Sequence, residues 1–188
     1  MPTAYFTASH AAPIPVDLVT SDILEDYLSA QSEYARAVLN AEGFKAAAGN
    51  LVRLPDMTGN LSRIAFGMGD GKAPLGVAAL SSALKGGTYR FDFIADGLEK
   101  SVLHVGWADG AYKFDRYKAR AADAPVLVIP DAGDLDAAVK FADSIELLRN
   151  LVNTPAQDLS PSILQAEIAS LAEAVSYTHL TLPTMRTV

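Results

Sequence analysis

Two hydrophobic periods alternate along the chain. The run Ile14–Val19 is apolar at five of its six positions, ends in Thr-Ser-Asp, and predicts a first strand. Asp22 and Glu25 have the spacing of an N-cap and its return acceptor. A helical pattern follows to about Asn40, broken near Ser29 to Ser32 and stopped by Gly43. Two strands are predicted at 50–54 and 61–66. The segment Pro55 to Asn60 between them is turn chemistry, so a hairpin is expected. Gly67-Met68-Gly69-Asp70-Gly71 leads to Pro74, a good first-turn residue, and then to an Ala- and Leu-rich helix over 74–84 that Gly86-Gly87 ends. Tyr89, Phe91 and Phe93 recur at period two within 88–94, the mark of a strand.

The helical period returns over 98–114, with Leu98, Val102, Val105 and Ala108 assigned to one face. Pro125 to Ile129 is compact and β-branched, as in a strand buried on both faces. Asp131 and Asp134 stand where a helix start favours carboxylates. Leu135, Val139, Ala142, Ile145, Leu148 and Val152 then mark one long helix face, closed by Pro155. Ser160-Pro161 is an N-cap with a first-turn proline, and Ile163, Ile168, Leu171 and Val175 carry a last helix. Alternating strands and helices define an α/β class. The hairpin makes the expected sheet mixed, flanked by helices.

Composition narrows this picture. The 188 residues are 50% hydrophobic and 20% charged, which excludes a disordered chain and allows one sizeable core. No cysteine is present, so disulfides, thiolate nucleophiles and cysteine-based zinc sites are excluded. Fifteen Lys and Arg against 22 Asp and Glu give a formal charge of −7, which disfavours nucleic acid and anionic membrane as partners. The N-terminus lacks a basic region and a long apolar run, and Pro13 and Pro15 interrupt it, so no signal peptide is read. No apolar stretch approaches the roughly 20 residues of a membrane span. A cytoplasmic protein is expected.

The last 13 residues, Ser176 to Val188, break with the rest. They hold four threonines and no acidic residue, and helical periodicity is lost. The string resembles the translated read-through of a sequencing adapter; a genuine C-terminal extension is the alternative. On the first reading the natural protein continues past about residue 175.

Candidate chemistry is sparse. Gly67, Gly69 and Gly71 follow a strand and precede a helix, where backbone N–H groups can cradle a phosphate. The dinucleotide fingerprint fails because Lys72 stands where glycine or alanine is needed, and a tight strand-to-helix turn is the preferred reading. His10, His104 and His179 show no metal-ligand spacing, and His104, between Leu103 and Val105, reads as a partly buried structural histidine. Glu25-Asp26 and the set Asp131, Asp134 and Asp136 fall at helix starts, where they complement the dipole. Lys113, Arg116, Lys118 and Arg120, interleaved with Tyr112, Phe114 and Tyr117, form the only basic cluster. It reads as a nucleic-acid, phosphate or acidic-partner contact, or more simply as a solvated helix end.

Two segments are more specific. Gly106-Trp-Ala-Asp-Gly-Ala-Tyr-Lys-Phe-Asp-Arg-Tyr-Lys118 and Leu148-Arg-Asn-Leu-Val-Asn-Thr-Pro-Ala-Gln-Asp-Leu-Ser-Pro161 together resemble the leucine aminopeptidase (cytosol aminopeptidase) family. Leu51 to Asp70 fits that family's N-terminal hairpin, and the resemblance spans roughly residues 14 to 175. It implies a macro-domain-like N-terminal domain over 1–150. A junction and the first helix of a truncated catalytic domain would follow over 151–175, and an artefactual tail over 176–188. Asn153, Thr154, Pro155 and Asp158 match the junction motif and take a structural role. The family it resembles releases N-terminal amino acids from peptides with two divalent metals, zinc or manganese, which polarise the scissile carbonyl. The resemblance further implies a hexameric parent whose metal ligands and catalytic motif lie in the second domain. No catalytic, cofactor-binding or metal-binding residue is therefore expected in this chain, and neither peptide substrate nor metal is expected to bind it. The alternative is a stand-alone macro-like module holding a nucleotide or ADP-ribose at Gly67 to Gly71. On the favoured reading, the apolar face of Ile163, Ile168, Leu171 and Val175 lacks its partner elements.

Overall fold

A computed structural model of the chain describes residues 5–118 and 123–174, which divide into two compact units, one up to Leu147 and one from Leu148 onward. The first unit is built on one six-stranded sheet of order β1-β6-β5-β2-β4-β3. Its strands are β1 (Phe6–Thr7), β2 (Ile14–Val19), β3 (Leu51–Pro55), β4 (Leu61–Gly67), β5 (Thr88–Ile94) and β6 (Val126–Val128). Four neighbouring pairs are parallel and only β3–β4 is antiparallel, so the sheet is mixed, as the hairpin requires. The helices are α1 (Leu24–Ser29), α2 (Glu33–Ala41), α3 (Val77–Ala83), α4 (Lys100–Ala111), α5 (Ala132–Asn153) and α6 (Pro161–Ala174).

The β3–β4 hairpin forms because Asp56 organises its turn. Its Oδ1 accepts the N–H groups of Thr58 at 2.8 Å and Asn60 at 2.9 Å and the Thr58 hydroxyl at 2.6 Å. Gly59 supplies the left-handed backbone, at φ +87°. Alternation then sorts the side chains of the sheet onto two faces. On one face Val16, Leu18, Ile64, Phe66, Tyr89 and Leu127 form the main core with Val77 and Leu80 of α3 and Leu103 and Trp107 of α4. The Trp107 indole donates to the Pro125 carbonyl at 3.3 Å. On the other face Val19, Val52, Leu54 and Ala65 pack with Tyr27 of α1 and Leu39 of α2.

That second face carries a charge at its centre. Asp17, in the middle of β2, is 0% exposed. Its carboxylate accepts the Tyr27 hydroxyl at 2.7 Å and Arg63 Nη1 at 2.6 Å. Arg63 Nη2 continues to Asp92 at 2.9 Å, and Asp92 also holds Arg90 at 2.6 Å. One chain of polar contacts thus ties β2, β4, β5 and α1 together. The register of β2 against β5 shifts here: Val16 pairs with Phe91 but Asp17 pairs with Phe93, which leaves Asp92 as the extra residue.

Two glycines bring α3 and α4 into close contact. A Cβ on Gly106 would stand 2.7 Å from Val77 Cγ1, and one on Gly110 would stand 2.0 Å from the Ala78 carbonyl oxygen.

Several expectations are corrected. β1 was not foreseen, because two residues carry no periodicity. Asp22 does not cap a helix: it lies inside the 3-10 turn Ser21–Ile23, whose N-cap position is Thr20. The break near Ser29 to Ser32 is real, and Ser32 caps α2 by accepting the Ala35 N–H at 3.2 Å. The helix expected over 98–114 runs only from Lys100 to Ala111. Its buried face is Leu103, His104, Trp107, Ala108 and Ala111, whereas Val102 and Val105 are half-buried. The indole sets this rotation, because Trp107 has the most apolar area to hide. Along α5 the buried residues are Ala138 and Ala142, with Leu135 and Val139 half-buried. Leu148 and Val152, expected on the same face, are 62% and 76% exposed.

In the second unit Thr154 Oγ1 donates to the Asn150 carbonyl at 2.7 Å and helps end α5. Ser160 caps α6, accepting the Ile163 N–H at 3.4 Å. Ile163, Ile168 and Leu171 stand exposed. The expectations on Val175 and on the tail 176–188 lie outside the described residues.

Three outcomes follow for stability. Asp17→Ala strips Tyr27 and Arg63 of their shared acceptor. Breaking such a pair costs about 3–5 kcal/mol when fully buried, so about 3 kcal/mol is expected here, because Arg63 is one-third exposed. Urea titration reads this as a lower midpoint. Gly110→Ala forces α3 and α4 apart and lowers stability by about 1–3 kcal/mol, while Ala at Gly76, where a Cβ meets nothing, does not. Asp92→Asn acts with pH. Burial raises the Asp92 pKa, but hydrogen bonds from Arg90 and Arg63 outweigh it and hold the carboxyl below the usual range. Its contribution is therefore present above the unfolded value and lost as pH falls through the folded one. The variant should be less stable at pH 7 by under about 1 kcal/mol, and the gap should begin to close only below about pH 4 and vanish as pH falls through the folded value.

Candidate functional site

The glycine segment after β4 is closed to ligands by its own hydrogen bonds. The Gly67 N–H donates to the Asn50 carbonyl at 2.8 Å, Met68 to Val19 at 2.8 Å and Gly69 to Ala46 at 2.9 Å. Gly71 donates to Met68 at 3.2 Å, and Lys72 to its neighbour Asp70 Oδ1 at 3.1 Å. Gly69 and Gly71 have φ of +63° and +74°, and a Cβ on Gly67 would lie 2.2 Å from the Ala47 carbonyl oxygen. The glycines serve a tight turn between close backbones. Donors already committed in this way do not offer a phosphate cradle.

The remaining sequence candidates are dispersed. His10 is exposed and its Nδ1 accepts the Ala12 N–H at 3.2 Å. Glu25 and Asp26 lie in the first turn of α1. Asp131 Oδ1 accepts the Asp134 N–H at 2.9 Å, which makes it the N-cap of α5, and Asp136 pairs with Lys140. Lys113, Arg116 and Lys118 follow the end of α4 in a loop rather than on a helix end, with the Phe114 and Tyr117 rings 5.7 Å apart. Arg120 and His179 lie outside the described residues. Among the described residues no group of three or more His, Cys, Asp or Glu is placed to hold a metal ion, and no helix is long and apolar enough to cross a membrane.

His104 is the candidate that the fold places in a distinctive setting. It is 7% exposed on α4. Its ring stacks on Phe91 at 6.4 Å with an interplanar angle of 5°, and Phe6 meets its edge. Burial lowers its pKa; Asp134 pulls the other way and Lys100 adds to the lowering. The imidazole is thus neutral at pH 7, with one donor and one acceptor nitrogen. It lines a crevice of about 450 Å³ at the carboxyl ends of β5 and β6. That crevice opens because β6 pairs with β5 only at Thr88 and Tyr89, whereas β2 follows β5 as far as Ile94. The outer edge of β5 beyond Tyr89 faces the gap. Sequence reasoning placed His104 in the interior but missed the crevice, which β5, α4 and the start of α5 build jointly. It also missed Asp17. The available signal there was a carboxylate inside the apolar run Ile14–Val19.

A hollow of about 550 Å³ beside the hairpin is lined in part by Tyr34, Met57 and Arg63. Arg63 is already committed to Asp17 and Asp92. Nearby, Tyr27 is buried against the Asp17 carboxylate, and burial first, then that charge and its hydrogen bond, push its pKa far above the ordinary phenol value. This is structural chemistry.

Residues 14–130 match the family model of the M17 aminopeptidase N-terminal domain. A probable cytosol aminopeptidase from Streptomyces avermitilis is 27% identical over an alignment covering 76% of this chain and 34% of that protein. The crystal structure of a cytosol aminopeptidase from Coxiella burnetii superposes with a TM-score of 0.81 at 27% identity, covering 92% of this chain and 38% of that one. The bottromycin maturation enzyme BotP in complex with Mn shares the fold at a TM-score of 0.68 and 24% identity, over 88% of this chain and 37% of its own. The chain spans about a third of the length of the curated relative. The family model covers more than half of the chain, which therefore belongs to the M17 aminopeptidases, with residues 14–130 as their N-terminal domain.

Proposed function

We propose that this chain is the N-terminal, non-catalytic part of a leucyl aminopeptidase that releases N-terminal amino acids from peptides. The observation that carries the proposal is the family match over 14–130 combined with the share of the relatives that the chain spans, 34% and 38%. The relatives support this reading over a stand-alone nucleotide module, and the committed donors of the glycine turn point the same way.

Two divalent ions, manganese or zinc, belong to this proposal for the longer protein. The Mn-bound BotP, which shares the fold, supports metal use. The described residues do not fit such a centre, since no three potential ligands converge. The proposal assigns the metals and the reaction to the longer protein. A hexamer, a cytoplasmic location and a domain boundary near residue 150 complete the proposal; the cytosol aminopeptidase relative supports the location. Nucleic acid is not a partner on this reading, given the charge of −7.

The purified chain should release no p-nitroaniline from L-leucine p-nitroanilide, with or without added manganese. Metal-dependent turnover by the pure chain would overturn the assignment. A protein extended through the source locus past residue 175 should turn the same substrate over, lose activity in EDTA and regain it with Mn²⁺. Light scattering on that extended protein should give six times the protomer mass.

A further inference from the structure

The crevice at the carboxyl ends of β5 and β6 has features that the turn chemistry and core packing do not account for. Among the described residues neither ring nitrogen of His104 hydrogen-bonds to a protein group, although the residue is 93% buried. An unmatched buried polar group of this kind is rare and costly in a native fold. Two charged groups line the crevice beside it, Lys100 from the first turn of α4 and Asp134 from the first turn of α5. Neither makes an ion pair with a protein side chain among the described residues. Asp92 and Asp131, also at the crevice, are already engaged with arginines and with the α5 cap.

We infer that this crevice binds a free apolar α-amino acid as its zwitterion. Asp134 takes the ammonium, Lys100 takes the carboxylate, and His104 supplies the neutral hydrogen bond between them. The charge balance selects this class. Arg90 and Lys100 against Asp92, Asp131 and Asp134 leave one net negative charge, which disfavours a nucleotide diphosphate with its two or more negative charges. A ligand carrying both signs satisfies both charged groups that lack protein partners. Phe91, Ile94 and Ile129 give the crevice an apolar wall that suits an aliphatic side chain. Strand ends that splay apart are where open α/β sheets take their ligands. The site stands on these residues alone and does not depend on the longer protein being a peptidase.

The test is calorimetry on the full 188-residue chain with L-leucine as probe, paired with NMR of the His104 ring. L-Leucine should bind saturably with a Kd below about 1 mM and shift the His104 ring resonances. Two half-ligands divide the site. 4-Methylpentanoate lacks the ammonium and 3-methylbutylamine lacks the carboxylate, and each should bind at least ~10-fold more weakly. Lys100→Met and Asp134→Asn change exposed side chains, so melting temperature should hold while L-leucine affinity falls ~10-fold. The inference is overturned by no saturable L-leucine binding up to about 10 mM. It is equally overturned by a half-ligand that matches leucine, by variants that bind like the parent, or by ADP-ribose binding in leucine's place. None of these outcomes bears on leucine p-nitroanilide turnover by the extended protein, so the two proposals fail separately.

Discussion

The first unit is organised around a carboxylate that water does not reach. Asp17 sits at the centre of β2, itself at the centre of the sheet, and an ionised group there is tolerated only if partners replace its hydration. Arg63 from β4 and the Tyr27 hydroxyl from α1 do so, and Asp92 on β5 holds the far side of the guanidinium. Apolar burial makes the sheet stable in any register that hides the right faces. The polar chain is more demanding, because it is satisfied only when β2, β4, β5 and α1 adopt one mutual arrangement. A buried pair of this kind contributes little net stability over an apolar replacement, so its weight lies in specificity.

The two faces of the sheet are finished by different means. On the main-core side, Gly106 and Gly110 let α3 and α4 approach to backbone contact, and Trp107 fills the space against Tyr89 and Phe91. On the other side, Tyr27 and Leu39 from short helices and Phe44 from the turn after α2 cover the strands and leave room for the ion pair. The strands end unevenly, and β6 stops two residues after it pairs with Thr88. That mismatch, rather than any motif, opens the crevice beside His104.

Much of the fold was legible because its signals are local. Period two gave β5 its limits at Thr88 and Ile94, the Pro55 to Asn60 turn gave the hairpin, and Ser160-Pro161 gave the start of α6. Family membership was legible from the two quoted segments. The errors share one physical cause, which is that tertiary packing decided between local options. Val102 and Val105 make a plausible face until Trp107 needs the interior. Leu148 and Val152 continue a stripe that is covered at Leu135, Val139 and Ala142 but exposed at its far end. The crevice residues Phe91, His104 and Asp134 lie far apart in sequence and meet only through the crossover of α4, so no spacing rule brings them together. Asp17 and Arg63 are likewise 46 positions apart.

The bulge in β5 also fixes how long that strand has to be. With Asp92 as the extra residue, Phe93 rather than a second aspartate stands opposite Asp17, and its ring lies 5.7 Å from that of Tyr27. Pairing β5 with β2 straight through, without the bulge, would draw Asp92 into register with Asp17 and set two carboxylates side by side in the dry centre of the sheet. It would also turn every later side chain of β5 to the opposite face. Most strands of a domain can be trimmed at an end without altering what their middles do. Here the residue count between Phe91 and Phe93 is as much a part of the charge design as the charges themselves.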